Sequence, residues 1–98
     1  MAKLRKVLVT RQELIRCLLA FHGEEFPRTG TSHARYRCLV NGQARHVTVD
    51  ESIDEFTPRS HTPLYYIVLH QLQVTWEDFY AADAGIASRA GIPHRPPT

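Results

Sequence analysis

The sequence predicts an α+β sandwich: one helix, a three-stranded antiparallel sheet, a second helix and a short third, with the helices on one sheet face. Three observations predict it. Asn41-Gly42 stands between two runs that alternate apolar and polar residues, the strongest short-range hairpin signal, because type I′ turns need positive φ at both central residues. Thr10-Arg11-Gln12-Glu13 is a capping box at the head of an amphipathic run. Thr62-Pro63 opens a second such run with a threonine cap and a proline at the first helical position, where its missing donor is not needed.

Each element follows in order. Val7-Leu8-Val9 is a short extended piece after a basic lead-in. Leu14, Ile15, Leu18, Leu19 and His22 fall on one face of the first helix, and Gly23 is expected to end it in the left-handed conformation. Glu24 to Arg28 predicts an edge strand, since Pro27 lacks a donor that a central strand would need. Gly30 turns the chain into the hairpin, Ala34 to Val40 and Gln43 to Asp50. Asp50, Glu51, Asp54 and Glu55 then mark a solvated connection pinned by Ile53 and Phe56. Leu64, Ile67, Val68 and Leu72 line the second helix, flanked by Tyr65 and Tyr66, and Thr75 caps the short third. The expected domain is residues 1–81. Residues 82–98, rich in small residues and proline, are expected to be a weakly ordered tail.

Ninety-eight residues suffice for one modest core, and 43% hydrophobic with 22% charged residues is ordinary for a globular chain. No apolar run reaches the roughly 18 residues of a membrane span, and Val7 to Val9 is too short for a signal peptide, so a cytoplasmic protein without membrane partners is expected. Cys17 and Cys38 then read as buried free thiols. The six histidines and two cysteines show no metal-ligand spacing, so neither a zinc site nor any other cofactor is expected. The net charge of +2 is unevenly spread: residues 1–49 hold nine Lys/Arg against three Asp/Glu, and residues 50–98 hold three against seven. The basic half contains the hairpin and suits an anionic partner, nucleic acid being the usual one.

With Asn41-Gly42 as the loop, Val40 faces Gln43 and the pairs run outward to His33 opposite Asp50. Ala34, Tyr36, Cys38, Val40, Val47 and Val49 then share the core face. His33, Arg35, Arg37, Leu39, Ala44, His46, Thr48 and Asp50 share the other. Burial fixes this register, because a one-residue slip would bury the arginines. The result is a cationic strand face with a histidine at its rim, where an imidazole can take up or give a proton near neutral pH and Arg35 and Arg37 suit the gripping of phosphate. Backbone donors of Gly30, Thr31 and Ser32 offer an anion nest, and Asp50 is placed to orient His33. His46, about 13 Å along the strand from His33, is too far to share its phosphate and reads as a contact residue.

Gly30-Thr31-Ser32-His33-Ala34-Arg35-Tyr36, with Glu13-Leu14-Ile15, Val47-Thr48-Val49 and the run Leu72 to Phe79, resembles HicA-type toxins over roughly residues 7–80. The resemblance implies a double-stranded-RNA-binding-like fold, metal-independent cleavage of mRNA, a HicB-like antitoxin as partner, and His33 as the catalytic histidine. Where many members continue with proline and a second histidine, this chain has Asp50-Glu51. The alternative is a non-catalytic module on the same fold that binds RNA or protein, such as a phage or mobile-element inhibitor of a host nucleoprotein complex.

Overall fold

A computed structural model of the chain describes residues 3–27, 30 and 32–97. The elements are β1 (Val9–Thr10), α1 (Arg11–Ala20), β2 (Glu24–Glu25), β3 (His33–Val40), β4 (Gln43–Asp50), β5 (Glu55–Phe56), α2 (Pro63–Tyr66), α3 (Trp76–Ala81) and α4 (Ala84–Ala90). A π-helical segment, Ile67–Leu72, continues α2. The fold is α+β, with an antiparallel sheet in the order β2-β3-β4. Its hairpin pairs as the alternation requires, from Val40 with Gln43 to His33 with Asp50.

The inner sheet face (Ala34, Tyr36, Cys38, Val40, Val47 and Val49) is buried against the helical layer. Leu64, Ile67, Val68 and Leu72 of α2 and its continuation complete that core, with Trp76, Phe79 and Tyr80 of α3. The π-helical segment runs beside β4, and the Gln71 side chain accepts a hydrogen bond from the Thr48 backbone N–H at 3.0 Å. An edge donor of the sheet is thereby covered.

Several expectations need correction. The buried stripe of α1 and its cap is Leu14, Cys17, Leu18 and Phe21, while Leu19 is 56% exposed and His22 is exposed. The spacing of three, four and seven puts those four residues on one face. His22, not Gly23, takes the left-handed conformation after α1, at φ 61°. Gly23 has a different reason to be glycine: its N–H reaches Leu18 O at 2.8 Å, so close that a Cβ would lie 2.5 Å from that oxygen. The solvated connection after β4 contains β5, which pairs with β1 through Val9 opposite Phe56. The edge strand is two residues long, and Arg28 lies outside the described residues.

The largest correction concerns residues 82–98, which do not form a loose tail through their first half. Asp83 caps α4 by accepting from the Ile86 N–H at 3.1 Å, and Gly91 closes it at φ 76°. Ile86, Ala87 and Ala90 are buried, and their small neighbours allow close approach. Charge fastens the outer side. Arg16 forks onto Asp83 at 2.9 and 3.3 Å, and Arg89 onto Glu13 at 2.6 and 3.1 Å. The lead-in is stitched to the same region: the Arg5 N–H donates to Ala90 O at 2.9 Å, and the Tyr80 hydroxyl donates to Val7 O at 2.7 Å.

Candidate functional site: the outer sheet face

Because the helices cover the inner face, the outer face of β2-β3-β4 is left to solvent. Alternation puts His33, Arg35, Arg37 and Leu39 of β3 there, with Ala44, His46, Thr48 and Asp50 of β4. Arg35, Arg37, His46 and Thr48 are exposed. Among the described residues, neither Arg35 nor Arg37 is engaged in an ion pair. Arg45 does not join them, because it lies on the inward side opposite Cys38, half-buried, where it donates to Gln43 Oε1 at 2.9 Å.

His33 is the first residue of β3, and the ladder continues one rung beyond it through the Glu51 N–H to Ser32 O at 3.0 Å. Directly opposite, Asp50 ends β4 in a tight turn. Its Oδ1 accepts from the Ser52 N–H at 2.9 Å and the Ser52 hydroxyl at 2.7 Å. That turn holds the carboxylate in place with Oδ2 3.7 Å from His33 Nε2, an ion-pair distance rather than a hydrogen bond. The two Ser52 hydrogen bonds, and after them the nearby imidazole, hold the Asp50 carboxyl below its ordinary value. Both groups remain wet, with side chains 51% and 35% exposed.

Of the other predicted site residues, Gly30 is in the left-handed region at φ 67° with open space around it, as a turn glycine should be. Ser32 is exposed beside His33. Thr31 lies outside the described residues, and the proposed anion nest with it. His46 stands opposite Arg37, away from the His33–Asp50 pair, but it has an aromatic neighbour that sequence reasoning missed. Phe26, 40% exposed, brings its ring to a centroid distance of 5.9 Å from the His46 ring at an interplanar angle of 32°. Strand parity puts Phe26 on this face, two residues beyond Glu24, which pairs with Arg37, a register the sequence alone does not supply.

A groove of about 740 Å³ opens at the far end of the hairpin, between Leu39–Asn41, the end of the π-helical segment at His70–Gln73, and Arg95. None of the predicted site residues lines it. Its cation, Arg95, is tied to Asp78 at 2.9 Å. Among the described residues no group of three or more His, Cys, Asp or Glu is arranged to hold a metal ion, and no helix is long and apolar enough to cross a membrane. Comparison with protein-family models, curated proteins and solved structures returns no match to this chain.

Proposed function

We propose that the outer sheet face binds RNA and that His33 drives metal-independent cleavage of the bound strand, in the manner of a HicA-type toxin on a double-stranded-RNA-binding-like fold. The single observation that carries this reading is the His33–Asp50 pair at the rim of a solvent-facing strand that also presents Arg35 and Arg37. In the proposed step the imidazole takes the 2′-hydroxyl proton, the 2′-oxygen bonds to phosphorus, and the 5′-oxygen leaves with a proton from water. The products are a 2′,3′-cyclic phosphate and a 5′-hydroxyl. Asp50 stabilises the imidazolium formed on the way, and the arginines meet the charge on the phosphoryl oxygens. A basic face facing RNA also fits neutralisation by an acidic surface of an antitoxin of the HicB kind.

The test is cleavage of a long fluorogenic RNA with EDTA present. The wild type is expected to cleave, and His33→Ala to lose roughly 10²–10⁴-fold in rate, the usual worth of a general base. Asp50→Asn is expected to lose less, because the carboxylate acts through the imidazole. A folded wild type that leaves the RNA intact would defeat the catalytic half of the proposal.

A second reading, a binder without catalysis, is favoured by one feature. His33 and Asp50 stand open to water at the opposite end of the hairpin from the groove. Salt-dependent RNA binding without cleavage would select it.

A further inference from the structure

Among the described residues, Phe26 lies outside the hydrophobic core and brings its ring to His46 instead. Phe26 leaves 40% of its surface in water although it adjoins a sheet that buries every large apolar residue of its inner face. Its backbone N–H bonds to Arg35 O at 2.8 Å, which places it level with Arg35 on the edge next to β3. His46 is on β4, level with Arg37. Strands lie about 4.8 Å apart, so two rings rooted on strands either side of β3 start roughly 10 Å apart. They nevertheless meet at 5.9 Å between centroids. The ring pair therefore arches over β3 between the levels of Arg35 and Arg37, two to four residues along the strand from His33.

We propose that this pair is a base-stacking subsite for single-stranded RNA lying across the sheet. The inference rests on the RNA reading above and deepens it by assigning the strand type and a contact. An exposed aromatic face set among cations is how sheets hold unpaired bases: the π-face takes any base, and the guanidinium groups take the phosphates on either side. A duplex keeps its bases stacked on each other and offers no free base face to Phe26. Glu24, which pairs with Arg37 on the β2 side, and Asp50 at the rim are the carboxylates of this face, and they bound the track at the edge and at the His33 end.

The experiment is fluorescence anisotropy of a labelled 2′-O-methyl oligouridylate, which lacks the hydroxyl that cleavage needs, titrated with the full chain over a range of salt. Phe26→Ala is expected to weaken binding roughly 5- to 100-fold with an unchanged salt slope, the pattern of a lost stacking contact. Phe26→Tyr, which keeps the π-face, is expected to bind like the wild type. Arg35→Ala and Arg37→Ala should instead flatten the slope of log K against log salt by about 0.7 each, one single-strand phosphate apiece. Should Phe26→Ala not fold, Phe26→Leu covers the sheet without a π-face and is expected to show the same loss. Wild-type affinity in Phe26→Leu, with the arginine variants weakened, would overturn the stacking subsite and leave the RNA reading standing. Preference for a duplex of the same length would also overturn it. A wild type that binds no oligonucleotide would overturn the RNA reading itself.

Discussion

His22 and Gly23 are neighbours with opposite demands on the backbone. His22 holds φ 61°, a conformation that costs a residue with a Cβ about 1 kcal/mol, so His22→Gly should raise stability by about 0.5 kcal/mol after the extra freedom of the unfolded chain is subtracted. Gly23→Ala should lower it by about 2–3 kcal/mol, because its new Cβ would sit 2.5 Å from Leu18 O and 3.3 Å from the Cys38 Sγ at the helix–sheet junction. Urea melts of the two variants check both signs. At this scale the sequence was informative where a residue's partner was set by alternation and uninformative where it was set by a turn. His33 opposite Asp50 followed from counting back from Asn41-Gly42, and the burial of Tyr36 and Val47 enforced it. The left-handed position was misplaced by one residue, because glycine marks both positive φ and close approach, and only coordinates separate the two. Phe26 was illegible for a related reason: the turn before β3 has no fixed length, so the register of the edge strand could not be counted.

Among the elements, α4 departs furthest from its sequence. Its signals were present, Asp83 as cap and Gly91 as terminator, but Ala-Gly-Ile-Ala-Ser-Arg-Ala offers one large apolar side chain and no visible stripe. A helix of seven residues has no independent stability and exists because α1 and the lead-in hold it. Asp83 carries that attachment twice, as cap to the Ile86 N–H and as partner of Arg16, which holds its carboxyl below the ordinary range. The Arg16 side chain is 53% exposed, so the ion pair adds little and the cap dominates. Asp83→Ala should therefore cost about 1–2 kcal/mol, lowering Tm by roughly 5–10 °C, while Asp83→Ser, which keeps an N-cap acceptor, should recover most of it. Equal melting of both variants with Asp83→Ala would instead assign the loss to the ion pair. By contrast the stripe of α2 and its π-helical continuation was legible, with Leu64, Ile67, Val68 and Leu72 all buried, because four large apolar residues define a stripe whatever the local pitch. The expected Thr62 cap does not form, since its hydroxyl donates instead to the Thr57 and Arg59 carbonyls.

For the whole molecule, the charge asymmetry seen in the sequence becomes spatial: Arg35 and Arg37 of the first half face outward from the sheet, and carboxylates of the second half, Asp78 and Asp83, are tied up with Arg95 and Arg16. The core between is apolar, and its few ionisable groups report on its closure. Burial pushes the Cys17 thiol up to about 12, the Cys38 thiol up to about 11 and the Tyr80 hydroxyl up to about 12. Each is raised above its unfolded value, so its contribution to stability is complete below pH 9 and is lost as pH rises towards 11–12. Denaturant midpoints should hold level from pH 7 to 9 and fall steeply above it, and both thiols should resist alkylation at pH 8 until the chain unfolds. The seam between the lead-in and the last two helices has a consequence of a different kind. Val7 meets Tyr80 and Arg5 meets Ala90 across nearly the full contour of the chain, so neither side of the seam can open while the other stays closed. The amides of Arg5, Val7 and Ile92 should therefore exchange with deuterium at one shared rate, and Asp83→Ala should speed all three together while the amides of β3 and β4 keep their own slower clock.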